Sequence, residues 1–170
     1  MEVSVRKVPA FKALVCEAEG HFEELGQKVR KAWRTVGSHL AEYARGEEEA
    51  GYVFIPQWEA PSSSVLRLKV GVHLPENREI PDAGDLEVLS VPERTYAVVT
   101  CRGGREEMMN LYGRLEEWIG GSGYEPDNEE GVYSFEVNPL KPVNPFDIPA
   151  DAIDAFHFDI YRAVRLRHQP

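Results

Sequence analysis

Two hydrophobic spacings divide the first half of the chain into a helix and a sheet strand. Over residues 21–44, apolar side chains recur every three or four positions, which predicts one buried face of a helix. This apolar stripe consists of Phe22, Leu25, Val29, Trp33, Val36 and Leu40. Over residues 65–74, apolar and polar residues alternate, and a period of two predicts a strand with two different faces.

Shorter apolar runs predict the other strands of this half. One strand is expected over residues 3–16, interrupted near Pro9, and another over residues 52–55. Residues 45–50 and 56–64 are expected to be loops, and residues 75–84, rich in proline and charge, connect to the second half.

The second half follows the same order of elements. A strand is expected over residues 86–101, interrupted near Pro92, and a helix over residues 105–119 with Gly120 at its end. The apolar face of that helix carries Met108, Leu111, Tyr112, Leu115 and Trp118. Strands are then expected over residues 132–137 and 156–166, separated by a proline-rich loop at residues 139–149.

A single offset of 85 residues relates the two halves. It places Phe11 on Tyr96, Cys16 on Cys101 and Trp33 on Trp118, and Cys and Trp are rare residues in this chain. We therefore predict one domain over residues 1–170 with an internal repeat, about 1–75 and 85–168. The expected fold is α+β: two pseudo-symmetric βαββ modules form an antiparallel sheet, two long helices cover one face, and a ligand cleft lies where the modules meet.

Composition narrows the function classes. The net charge is -10, from 29 acidic and 19 basic residues, so direct binding to nucleic acid is not expected. No apolar run of about 20 residues and no secretory signal is found, so no membrane partner and a cytoplasmic location are expected. Cys16 and Cys101 lack metal-ligand spacing, and neither a metal nor a cofactor is expected. Whether the two thiols pair across the repeat axis is left open.

Chemistry is concentrated in the last two predicted strands. On the first of these strands, alternation places Glu136 and Phe135 on different faces. On the second, it places His157, Asp159 and Tyr161 on one face. If the apolar sets pack under the helices, these four polar side chains share the other face, with Tyr52 and Trp58 near them. A carboxylate among aromatic rings suits a bulky organic cation, which gains about 0.5–2 kcal/mol from each cation-π contact.

The same residues allow structural interpretations. Glu136 could pair with Arg67 or Lys69 across strands on a solvated face. Trp33 and Trp118 lie on helix stripes and favour core packing over ligand contact. Trp58 lies in a loop, where it either borders the cleft or anchors the loop on the core.

Several segments, in this order and spacing, resemble the GyrI-like small-molecule-binding family. They are Tyr96-Ala-Val-Val-Thr-Cys-Arg-Gly-Gly104, Glu117-Trp118-Ile119, Ser122-Gly-Tyr-Glu125, Ser134-Phe-Glu-Val137 and Asp159-Ile-Tyr161. The family includes effector-binding domains of AraC-type and multidrug-sensing regulators. The resemblance implies paired βαββ modules and a cleft in which Glu136 recognises lipophilic, often cationic, ligands. Asn138 stands where family members often have an aromatic residue, so the pocket wall is expected to differ.

Three functions follow as hypotheses. The first is a standalone module that binds bulky lipophilic, cationic ligands through Glu136, with Tyr161, Trp58, Tyr52, His157, Asp159, Trp118 and Tyr112 as candidate contacts. The second, implied by the resemblance, is a hydrolase of strained cyclopropane-containing natural products that uses Glu136. The third is a protein-binding inhibitor. A gyrase-modulating protein would be an example of this class. The repeat begins near residue 1, so any regulation is expected to act through a partner, and monomer and dimer remain open.

Overall fold

The computed structural model describes residues 1–43, 50–59, 65–75, 84–141, 143–149 and 152–167. Two helices and nine strands make up this part of the chain. The strands are β1 (Ser4–Val8), β2 (Phe11–His21), β3 (Ala50–Ile55), β4 (Val65–Leu74), β5 (Glu87–Val91), β6 (Arg94–Gly103), β7 (Tyr124–Pro126), β8 (Ser134–Pro139) and β9 (Phe156–Leu166). The helices are α1 (Leu25–Tyr43) and α2 (Arg105–Gly120), and short 3-10 turns occur at Phe22–Glu24 and Pro145–Asp147.

The α+β prediction is confirmed, and the predicted interruptions near Pro9 and Pro92 are the turns between β1 and β2 and between β5 and β6. Several boundaries differ. Helix α1 begins at Leu25 rather than near residue 21, and β8 spans Ser134–Pro139 rather than residues 132–137. β2 extends five residues past Cys16, the strand β3 begins at Ala50 inside a predicted loop, and the short strand β7 was not predicted. Much of the predicted loops at 45–50 and 56–64 and of the connector at 75–84 lies outside the described residues.

All nine strands join one antiparallel sheet. Its order is β1-β6-β9-β8-β3-β4-β2-β5, and β7 pairs with β9. The turns between β1 and β2 and between β5 and β6 link strands from opposite ends of this order. One apolar cluster contains Val8 of β1, Val91 of β5 and Phe135 of the central strand β8. Because strands from both ends of the sheet meet in this cluster, the sheet curves around it.

The other face of the sheet carries the helices. Helix α1 packs Val29, Trp33 and Val36 against β2, β3 and β4. Helix α2 packs Leu111, Leu115 and Ile119 against β6 and β9. The two helices therefore lie over different strands on one face, and β8 runs between the regions that they cover. Apart from the extra strand β7, the same order of elements occurs in both halves, whereas the internal symmetry stays a prediction.

We expect Gly71→Ala to destabilise the fold by about 1–3 kcal/mol, because overpacked sites must shift neighbouring atoms. A Cβ at position 71 would lie 1.8 Å from the backbone oxygen of Leu14, on the neighbouring strand β2. Gly113→Ala is the matched control. Its Cβ would meet nothing within 4 Å, and alanine favours a helix by up to about 1 kcal/mol. Urea unfolding of both variants should give shifts of opposite sign; equal stability of Gly71→Ala and wild type would contradict the close packing of β2 and β4.

Candidate functional site

A groove of about 1390 Å³ separates the two helices. Side chains of α1 and α2 form its walls, and residues of β3, β8 and β9 form its floor. The segment around Phe146 closes one end, where its ring stacks on Trp33 with centroids 4.8 Å apart. The volume exceeds the roughly 300–1,000 Å³ of ordinary ligand sites, so a bulky organic molecule fits.

Glu136 lies on the floor of this groove. Strand register places it between Val53 of β3 and Ile160 of β9, both of which are buried apolar residues. Cross-strand partners share a face of the sheet, so Glu136 points to the side that carries the helices. The hydroxyl of Tyr112, on α2, donates a hydrogen bond to Oε2 of Glu136. A half-buried acid in apolar surroundings, held by one phenol, is thus the polar centre of the groove.

The electrostatics of this pair follow from its burial. Burial raises the pKa of the Glu136 carboxyl, and the hydrogen bond from Tyr112 partly opposes that shift because it favours the carboxylate. Burial and the charge of Glu136 raise the pKa of Tyr112 well above its usual value. The pKa of the Cys101 thiol is raised too, first by burial and then by Glu136. Cys101 is therefore a protonated thiol and a poor nucleophile at neutral pH.

The predicted grouping of Glu136 with His157, Asp159 and Tyr161 is wrong. Glu136 is paired with Ile160, whereas Tyr161 is paired with Phe135, so the two polar sets lie on opposite faces of the sheet. Tyr161 packs against the cluster on the concave face. Asp159 accepts a hydrogen bond from Thr100 at 2.6 Å, and His157 is exposed.

The remaining aromatic candidates also lie outside the groove lining. The ring of Tyr52 stacks on that of Phe54 on the concave face, with centroids 5.7 Å apart. The rings of Trp58 and Tyr133 pack edge to face with centroids 4.9 Å apart, as expected of a loop anchor. Trp118 packs against the core under α2, and Trp33 is buried under α1, so core packing is confirmed for both. Of the candidates, only Glu136 lines the groove, and Tyr112 is joined to it by a hydrogen bond.

The alternative ion pairs of Glu136 do not form. Arg67 pairs with Glu19 at 3.7 Å, and Lys69 pairs with Glu87 at 2.5 Å. Cys16 and Cys101 are both free thiols.

Sequence reasoning missed the residues that line the groove walls. Among them are Arg30 on α1, Arg105 and Met108 on α2, and Ile148 in the proline-rich segment. A signal for α1 was present. Arg30, Lys31 and Arg34 follow helical spacing beside the apolar stripe, so a basic flank could have been predicted.

Two further classes of site are not found in the residues that the structure describes. No three His, Cys, Asp or Glu side chains there converge as metal ligands would. Neither described helix has both the length and the apolar character of a bilayer-crossing segment.

The family model for the GyrI-like small molecule binding domain matches residues 1–146. No curated protein matches the chain by sequence.

Solved structures also share the fold, among them the following three. The C-terminal domain of EcmrR has a TM-score of 0.68 at 13% identity, covering 98% of this chain and 98% of its own. SAV2435, solved with tetraphenylphosphonium bound, has a TM-score of 0.62 at 11% identity, and the match covers 97% of this chain and 94% of SAV2435. A hydrolase from Listeria innocua has a TM-score of 0.60 at 10% identity, and the match covers 96% of this chain and 92% of the hydrolase. Identities this low establish the fold, whereas function must be argued from the site.

Proposed function

Because the chain belongs to the GyrI-like small-molecule-binding family, we propose that it binds a bulky lipophilic organic molecule with cationic character in the groove between α1 and α2. The observation that carries this proposal is Glu136, the one acid on a mostly apolar groove floor among the described residues, whose side chain has Tyr112 as its only described hydrogen-bond partner. A bound cation would supply the counter-charge that this carboxylate lacks.

The apolar surface of the groove supports the lipophilic part of the proposal. Phe156 and Phe158 of β9 contribute rings to the lining, and Met108 contributes a flexible thioether. Phe22 and Met109 also line the groove, although they are 68% and 53% exposed. Large apolar side chains left in water at the edge of a cavity gain most from an apolar ligand that covers them.

Tetraphenylphosphonium is the probe with which we test this function, since SAV2435 was solved with it bound. Isothermal titration of the wild type should show saturable binding. Met109→Arg should weaken it about 3–10-fold, because it replaces apolar contact area with a like charge at the groove. Val88→Arg is the control: Val88 is 48% exposed, lies on β5 and does not line the groove. An absence of binding, or equal losses in both variants, would contradict the assignment of the groove.

A hydrolase is the second candidate, and the Tyr112–Glu136 pair is the observation that favours it. In this reaction Glu136 removes a proton from water, and the water oxygen bonds to a carbon of a strained three-membered ring. The ring bond to that carbon breaks, and its electron pair passes to the conjugated carbon system, which then takes up the proton. Water is added overall, with no oxidant or reductant. A carboxyl with a raised pKa can serve as such a base and return the proton.

An activated cyclopropane conjugated to an enone tests this second candidate. Incubation with the wild type should give a product heavier by one water molecule in chromatography with mass detection, and Glu136→Gln should abolish the product. Recovery of the intact compound at the rate seen without protein would reject the hydrolase and leave the binding proposal untouched.

A further inference from the structure

The groove carries a second set of charged side chains, two arginines on different helices. Arg30 on α1 and Arg105 on α2 both line the same cavity as Glu136. The guanidinium of Arg105 lies 5.9 Å from the centre of the Phe156 ring, at the wall of the groove. Two helices therefore each bring a permanent positive charge to one cavity.

Arg30 is held in place without a carboxylate. Its Nε donates to the backbone oxygen of Ile148 at 2.6 Å, and its Nη1 donates to that of Gly26 at 2.9 Å. Within the described part of the chain, no Asp or Glu forms an ion pair with it. Burial lowers the pKa of Arg30, and the positive charge of Arg105 lowers it further. Such an arrangement favours an anion, which would relieve the repulsion and neutralise the half-buried guanidinium.

The charge of the whole lining agrees with this. The chain carries a net charge of -10, yet among the described residues the groove is lined by five basic and three acidic side chains. One of the three acids is Glu136, on the floor. A simple lipophilic cation would satisfy the acid and leave the basic wall facing a like charge.

We propose that the preferred ligand of the groove is amphoteric, with an oxyanion such as a carboxylate bound at Arg30 and Arg105 and a cationic, apolar body over Glu136. This inference rests on the proposed function, because it assumes that the groove is the ligand site. It adds the chemical class of the ligand: a large aromatic zwitterion is preferred over an aromatic cation of the same size. A guanidinium fork binds a carboxylate through two parallel hydrogen bonds, which also fixes the orientation of the ligand.

Rhodamine B and its ethyl ester form a matched pair of probes, since both carry the cationic ring system and only the acid has a carboxylate. Fluorescence anisotropy at neutral pH should give a dissociation constant about tenfold or more lower for rhodamine B. Arg105→Gln should reduce this preference at least severalfold. Arg30→Gln should reduce it too, and Arg105→Gln keeps the test valid if the loss of two backbone hydrogen bonds unfolds Arg30→Gln.

Arg114→Gln is the control for charge, because Arg114 is exposed on α2 and does not line the groove. It should leave the preference for rhodamine B unchanged. Equal affinities of the two dyes in the wild type would overturn the proposed oxyanion site at Arg30 and Arg105. A preference that survives Arg105→Gln would overturn it too, and in both cases the proposed function would stand. If neither dye bound, both proposals would fall together.

Discussion

Phe135→Ala is expected to lower the free energy of unfolding by about 3–5 kcal/mol, as deletion of a buried aromatic ring does. The Phe135 ring is 3% exposed and lies at the centre of the cluster on the concave face. Its ring contacts those of Phe11, Tyr52, Phe54, Tyr96 and Tyr161, with centroids 4.7–5.9 Å apart. Urea unfolding followed by circular dichroism measures the loss.

Phe22→Ala is the matched control, since it deletes the same ring from a position that is 68% exposed. We expect it to change stability by less than about 0.5 kcal/mol. If Phe135→Ala were as stable as this control, the concave cluster would not be a core. Tyr52 and Tyr161 would then return as candidates for ligand contact.

Periodicity predicted the elements because each pattern is local. Alternation in residues 65–74 reproduces the bounds of β4. The helix predicted over residues 105–119 from its apolar stripe differs from α2 by one residue at its end. β7 escaped prediction because it has three residues, too few to show a period, and is defined by its pairing with β9. Extension of β2 to His21 is likewise set by a partner, since His21 pairs with Val65.

The site was predicted only in part, for a different reason. Alternation divides each strand into two faces, but it does not say which face of one strand adjoins which face of the next. That depends on register, and Glu136 is paired with Ile160. The rule that apolar residues cover the helix side failed here, because Phe135 belongs to a second apolar cluster on the concave face. A sheet with a core on each side gives no polar face from which to choose.

The register also explains why one acid lies among apolar residues. Glu136 occupies a position on the groove floor, between the regions covered by α1 and α2. An apolar side chain there would close part of the groove floor. The acid keeps this part of the floor polar, at the cost of a half-buried ionisable group.

Glu136→Gln is therefore expected to weaken tetraphenylphosphonium binding about 10–100-fold and, without ligand, to raise the melting temperature at pH 8 by about 2–4 °C. Binding falls because glutamine carries no negative charge. Stability rises because burial penalises the carboxylate, and glutamine removes that penalty while still accepting a hydrogen bond from Tyr112. Titration calorimetry and thermal unfolding measure the two effects on one preparation.

The pH dependence fixes the sign of both effects. An acid whose pKa is raised by folding binds its proton more tightly in the folded state, so its destabilising contribution appears as the pH rises through that pKa. The melting temperatures of wild type and Glu136→Gln should thus converge in acid and separate at pH 8. Wild-type affinity should fall as the pH drops and Glu136 is protonated, while that of Glu136→Gln stays flat.

Glu117→Gln, an exposed change on α2 outside the groove, should follow the wild type in both measurements. A stabilised variant that still binds with wild-type affinity would show that Glu136 does not serve as the counter-charge of the ligand. If Glu136 pairs directly with the ligand, removal of its charge must both raise the stability and weaken binding.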